Sequence, residues 1–233
     1  MTLASFPRGF RALVIGASGA IGSAFVQALT DDAGCGRVDA LHRHSAPPID
    51  FDREASVAQA AEAMAAHGPY HLIVVASGVL HTPAFAPEKR LADLDYARLE
   101  QTFRVNAFGP ALAIARFAPL LDRHRSVLAV LSAKVGSIED NRLGGWYAYR
   151  ASKAALNMML KTAAIEVRRS NPGAALVALH PGTVTSALSR PFRGAERGRP
   201  PADAVRDLLL VIDRITAQDT GSFVAYDGQR LPW

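Results

Sequence analysis

Three groups of residues in this 233-residue chain have types and spacings that could do chemistry. Tyr149 and Lys153 are four residues apart, so on a helix they share one face. An ammonium beside a phenol favours phenolate, lowers the tyrosine pKa and makes it a usable general acid or base. With five Tyr and four Lys, chance yields about 0.1 such pairs in the chain. A surface i,i+4 pair is the bland alternative. The second group is Gly16-Ala17-Ser18-Gly19-Ala20-Ile21-Gly22, between an apolar run and a helical pattern. Small residues let the backbone turn sharply, and a helix N-terminus behind them offers free N–H groups to a pyrophosphate. Any tight strand-to-helix turn also uses glycine. The third is Leu41-His42-Arg43-His44, at the end of a second strand. No acid stands there for a ribose 2′-hydroxyl, and Arg43 can pair with a 2′-phosphate. That favours NADP(H) over NAD(H), unless Arg43 is simply solvated.

The elements that must position these groups alternate. Residues 11–15, 38–41, 72–76, 126–131, 175–179 and 222–226 read as strands. Helices are expected at 20–29, 54–66, 91–103, 107–121, 148–169 and 202–215, with breaks near Asn106 and Gly109-Pro110. The alternation implies an α/β fold with a mostly parallel sheet and helices on both faces. No domain boundary is visible, so 1–233 reads as one domain. Residues 186–201, rich in Pro, Gly and Arg, read as a loop that could cover a site.

Composition narrows the classes. Apolar residues are 49% of the chain, enough for a large core. No apolar run approaches the roughly 20 residues of a membrane span, and the first residues lack the order of a signal peptide. One cysteine, Cys35, excludes an internal disulfide framework and a multi-Cys zinc site. His42 and His44 form the one close histidine pair, and no metal is expected there. A cytoplasmic protein is the default. Net charge is +5, but the arginines form no run and no aromatics interleave them, so neither nucleic acid nor membrane is an expected partner.

Together these residues resemble the short-chain dehydrogenase/reductase superfamily over essentially the whole chain. The matching pieces are Gly16-xxx-Ala20-x-Gly22, Asp50, Gly78, Asn106 in VNAFGP, Tyr149-xxx-Lys153, and Pro181-Gly182 followed by Ser186. The stretch GSIEDNRLGGWYAYRASKAALN is similar to the subgroup of sniffer-type carbonyl reductases and bacterial C-factor proteins. The resemblance implies a Rossmann-like doubly wound parallel sheet and hydride transfer between NADP(H) and a carbonyl or alcohol. Tyr149 would exchange a proton with the substrate oxygen. Lys153 would hold the nicotinamide ribose and depress the Tyr149 pKa, and Asn106 would interrupt its helix and hold a relay water. Ser18, Ile21 and Arg43 would contact phosphates, Asp50 and Phe51 would flank adenine, and Val184 and Ser186 would bind the nicotinamide amide. Gly78 would allow close backbone approach. Gly16, Ala20, Gly22, Ser77, Pro181 and Gly182 complete the expected cofactor set.

The departures carry information too. Ile15 replaces a usual Thr, and Val75-Ala76-Ser77-Gly78 replaces Asn-Asn-Ala-Gly. The position for a substrate-orienting serine holds Ala133. Ser132 is one residue off, which on a strand means the opposite face, and Ser137 lies just beyond. Ser132, Ser137 or no serine are the open choices. The absence of that donor motivates a second reading, a cofactor-binding signalling protein with little or no catalysis. The resemblance also implies a homodimer or homotetramer through helices 107–121 and 148–170, whose outer faces would carry Ala113, Ile114, Phe117, Met158 and Leu160, although core packing would explain the same residues. Arg190, Arg193, Arg197 and Arg199 would permit an anionic substrate.

Overall fold

The computed structural model describes residues 2–192 and 194–233. Six parallel strands form one sheet in the order β2-β1-β3-β4-β5-β6. They are β1 (Phe10–Ile15), β2 (Cys35–Leu41), β3 (Leu72–Val75), β4 (Ser126–Leu131), β5 (Ala174–His180) and β6 (Ser222–Ala225). The central strands are apolar on both faces because helices cover both. On one face α2 (Glu54–Ala65), α4 (Gly109–Phe117) and α5 (Tyr147–Ser170) bury Met64, Phe117, Leu156 and Leu160. On the other, α1 (Ala20–Thr30) and α7 (Pro201–Arg214) bury Phe25, Leu29, Leu208 and Ile212. Each fully buried Phe or Leu contributes about 2 kcal/mol or more.

β2 starts three residues earlier than its apolar run. It is an edge strand, with Phe10 aligned to Cys35, and most of its residues are wet, so only Leu41 carries a strong signal. The expected break near Asn106 and Gly109-Pro110 is not a break. After a 3-10 turn at Leu91–Asp93, α3 (Tyr96–Phe103) runs through a π turn at Arg104–Phe108 directly into α4. The Gly109 N–H reaches back to the Arg104 carbonyl. Pro110 is tolerated because it sits at the head of α4, where a missing N–H costs little. Residues 186–201 also carry structure: a 3-10 turn at Arg190–Phe192 and α6 (Gly194–Arg197). Four of the five residues assigned to an outer face, Ala113, Ile114, Phe117 and Leu160, lie in the core; Met158 alone is exposed. Among the described residues, no helix is long and apolar enough to cross a membrane.

The β1–α1 turn is the tightest junction. Gly16 has a φ of +87°, and a Cβ on Gly22 would stand 2.1 Å from the Gly16 carbonyl oxygen. Backbone stands on both sides of that contact, so neither partner can yield. Gly22→Ala is expected to lower the unfolding free energy by about 3 kcal/mol or more, read from urea melts.

Candidate active site

The site is assembled where the C-terminal ends of the strands meet the start of α5. Gly144, Gly145 and Trp146 are all left-handed, with φ of 61°, 63° and 53°. For Trp146 this conformation costs roughly 1–2 kcal/mol. Glu88 holds it there. The Glu88 carbonyl accepts from the Trp146 N–H, and its side-chain Oε2 accepts from the Ala148 N–H at 3.1 Å. This carboxylate is only 2% exposed and caps the positive end of α5. Nothing in the spacing of Glu88 marks it; only the Gly144-Gly145 pair hints at the turn it braces.

Lys153, one turn beyond Tyr149, is 3% exposed and donates from Nζ to the Leu131 carbonyl at 3.0 Å. Burial pulls its pKa down to about 8. Tyr149 is half-buried, and burial pushes its phenol up to about 12. The expected depression of the Tyr149 pKa by Lys153 is therefore not what this structure shows. The ammonium lies 6.0 Å from the phenol ring centroid and spends its bond on main chain, so desolvation dominates.

Asn106 is fully buried in the π turn. Its Oδ1 accepts from the Val79 N–H, and its Nδ2 donates to the Val79 carbonyl and to Ser152 Oγ. Beside it, a Cβ on Gly78 would lie 3.6 Å from Asn106 Oδ1 and 3.7 Å from Lys153 Nζ. Ser132 lines the cavity and Ser137 does not, and the hydroxyl proton of each is engaged within the protein. Ser132 Oγ donates to Asn157 Oδ1 at 2.7 Å, on the α5 side of the sheet. Ser137 is 1% exposed, and its Oγ donates to the Trp233 carbonyl. Ala133 itself lines the cavity.

That cavity is about 610 Å³, within the usual range for small-molecule sites. Ser18, Ala20, Ile21, Ser77, Gly78, Tyr149, Lys153, Pro181, Gly182, Val184 and Ser186 line it, as expected. Gly16, Gly22, Arg43, Asp50, Phe51 and Asn106 are not in its wall. Gly16 and Gly22 shape the turn beneath, and both the Gly16 and Ala17 N–H groups bond the Leu41 carbonyl, which ties Arg43's segment to the turn. Arg43 is exposed and makes no ion pair among the described residues. Asp50 accepts from the Asp52 N–H and faces Arg53 at 3.8 Å, while the Phe51 ring packs on the Gly109 backbone. Asp39, the acid of β2, is committed to Arg37, His67 and Tyr70. α1 begins at Gly19 with no side-chain cap and no acid in its first turn, so its N–H groups are free for an anion.

An aromatic wall closes the cavity. Phe192 sits edge-on to Trp146 at 5.1 Å and to His81 at 5.6 Å, and Trp146 stands 6.2 Å from Tyr149. His81 Nε2 is 3.1 Å from the Ala187 carbonyl. Of the loop arginines, Arg199 stacks on Tyr226 and pairs with Asp207 instead of facing the cavity. Arg190 and Arg197 do not line it either, and Arg193 lies outside the described residues. His180, also in the wall, was not marked by spacing; its Nδ1 accepts from the Lys134 N–H at 3.3 Å.

The buried ammonium of Lys153 opposes folding. Its drop from the ordinary lysine value to about 8 corresponds to roughly 3 kcal/mol of cost at neutral pH. The folded pKa is the lower one, so this cost is full below pH 8 and fades as pH rises toward the unfolded value. Lys153→Met should raise the melting temperature at pH 7, with the gap to wild type narrowing by pH 10. Calorimetry across pH reads both.

Comparison with known proteins agrees with this geometry. Residues 11–197 match the family described as short chain dehydrogenase. The chain is 37% identical over 145 residues to the C-signal protein of Myxococcus xanthus, covering 61% of this chain and 83% of that one. It is 31% identical over 187 residues to 1-hydroxy-2-glutathionyl-2-methyl-3-butene dehydrogenase of Rhodococcus sp. (strain AD45), covering 80% of this chain and 79% of that one. Its fold superposes on an NADPH-bound carbonyl reductase from chicken fatty liver with a TM-score of 0.84, at 22% identity over 98% and 96% of the two chains. The carbonyl reductase Sniffer of D. melanogaster gives 0.82, at 20% identity over 98% and 100%. With the sheet order, the Tyr149–Lys153 pair and the glycine turn in place, the chain belongs to the short chain dehydrogenase family of oxidoreductases.

Proposed function

We propose that this protein is an NADP(H)-dependent reductase of carbonyl substrates, with Tyr149 as the general acid. The observation that carries the reading is the convergence of Tyr149 and Lys153 on one cavity whose far wall is the uncapped start of α1. The pair's retention favours this over a role limited to binding cofactor. The residues present suit a phosphorylated dinucleotide: free N–H groups at Ala20–Gly22, an unpaired Arg43 beside them, and no acid at the end of β2. Ser18, Ile21 and Arg43 would hold phosphates, Asp50 and the Phe51 main chain would border adenine, and Ser77 and Gly78 would line its path. Pro181, Gly182, Val184 and Ser186 would hold the nicotinamide end. When bound, the dinucleotide supplies the hydride.

The chain's own residues do the rest. Tyr149 donates its phenolic proton to the developing alkoxide, and burial keeps the phenol protonated until then. Lys153 would hold the nicotinamide ribose, its ammonium being anchored on the Leu131 carbonyl 6.0 Å from the Tyr149 ring centroid. Asn106 fixes Val79, which lines the cavity. The aromatic wall, and the absence of Arg190, Arg197 and Arg199 from the lining, suit a neutral, apolar carbonyl compound. Residues 186–201 act as the cover of one functional unit. Met158 and Ile165 on α5, 68% and 52% exposed, suit self-association as a homodimer or tetramer.

Tyr149→Phe should lower kcat on an aromatic aldehyde by about 10²–10⁴-fold while NADPH still quenches the protein fluorescence. Unchanged turnover would remove Tyr149 from its role. Arg43→Ala should weaken NADPH about 10- to 100-fold and leave NADH unchanged in the same titration. Equal losses for both nucleotides would mean that Arg43 does not read the 2′-phosphate.

A further inference from the structure

The reacting oxygen of a carbonyl needs a hydrogen-bond donor besides Tyr149, because charge accumulates on it as the bond is reduced. Ala133 offers none, Ser132 is spent on Asn157, and Ser137 is spent on Trp233. The adjoining strand offers one. β5 pairs with β4 through Leu179 and Leu131, and the Ser132 N–H bonds the Leu179 carbonyl. His180 therefore stands beside Ser132–Ala133 on the next strand. Its ring reaches across to the residue after Ala133, where Nδ1 accepts the Lys134 N–H at 3.3 Å. That bond assigns the ring proton to Nε2. No group among the described residues bonds Nε2, and His180 and Ala133 both line the cavity.

We propose that His180 Nε2–H donates a hydrogen bond to the reacting oxygen of the substrate, in place of the hydroxyl that Ala133 lacks. The inference rests on the carbonyl-reductase reading above. The imidazole keeps its proton throughout; the proton that moves is that of Tyr149. The group is suited to the task. Burial, helped by the nearby Lys134 ammonium and opposed by Asp227, pulls its pKa down to about 4, so it stays neutral under working conditions. A neutral imidazole held in one tautomer can polarise a carbonyl without the desolvation cost of a buried cation. A planar ring fixed at Nδ1 also reaches farther than a serine hydroxyl, which matches a site whose strand residue is only a methyl.

The test pairs removal with replacement. Turnover of 4-nitrobenzaldehyde with NADPH is measured for wild type, His180→Phe, His180→Asn, Tyr149→Phe, and Ala133→Ser in the His180→Phe background. His180→Phe is expected to lose about 10- to 100-fold in kcat, with NADPH affinity and melting temperature held. Ala133→Ser should restore at least tenfold of that loss, which a purely structural role for His180 would not allow. His180→Asn, which keeps a donor, should fall between and guards against a misfolded Phe variant. A kcat unchanged in His180→Phe, or a loss that Ala133→Ser leaves intact, overturns the proposal. The two readings separate cleanly: an inactive Tyr149→Phe with a fully active His180→Phe removes His180 alone. If wild type turns over no carbonyl, the reading above falls, and nitrogen-15 NMR decides the proposal without turnover. The His180 Nε2–H proton should move downfield when 4-nitrobenzaldehyde joins protein loaded with NADP⁺, and a resonance that stays put overturns it.

Discussion

The 3-10 turn at Lys134–Gly136 lies so close to α5 that a Cβ on Gly136 would stand 2.7 Å from the Cβ of Lys153. Several partners at the site depend on that contact. It sets the depth at which α5 sits over the end of β4, so the Lys153 ammonium meets the Leu131 carbonyl and Ser132 meets Asn157. It also presents the Lys134 N–H to His180 from the opposite side. A side chain at 136 would lift the helix and separate these partners together, because interiors packed this densely do not absorb a methyl group locally.

Around that contact the protein accepts several local costs. Trp146 is held left-handed, Lys153 is charged in a dry place, and Glu88 is a buried acid. Each cost has a visible partner: the Glu88 carbonyl and carboxylate hold the first turn of α5, and α5's own dipole favours that carboxylate. The two apolar layers on either side of the sheet supply the stability from which such costs are met. Strain concentrated at one edge of a rigid sheet is the expected signature of a working site.

Much of this was legible because the informative signals are local. A central strand buried on both faces reads as a continuous apolar run, so β3 and β4 are evident from LIVV and SVLAVL. The glycine turn and the Tyr149–Lys153 pair are short-range patterns set by backbone geometry. What was hidden depends on partners far apart in the chain. Glu88 caps a helix that starts 59 residues later, and Cys35 joins β2 only because β1 lies beside it. The π turn looks like a break because Asn106, Gly109 and Pro110 are poor helix residues, and only the clamp on Val79 shows why they stay helical. The protonation of Tyr149 was misread for the same reason: spacing shows that an ammonium is nearby, but not that it points elsewhere or that the phenol is desolvated.

The segment between Thr185 and Arg199 is pinned at its two ends. The Thr185 N–H bonds the Arg199 carbonyl, and the Arg199 N–H bonds the Thr183 carbonyl. Two main-chain bonds thus join its ends, and Arg199 is further anchored on Tyr226 and Asp207. A segment closed at its neck behaves as an interchangeable cassette. Its length enters the free energy only logarithmically, so doubling it would cost about 0.6 kcal/mol. The two apolar layers would not register the change, whereas Trp146 at the head of α5 would, through Phe192. The sheet and the groups at its carboxyl end can therefore stay as they are while this segment is rewritten, provided Phe192 keeps its contact with Trp146.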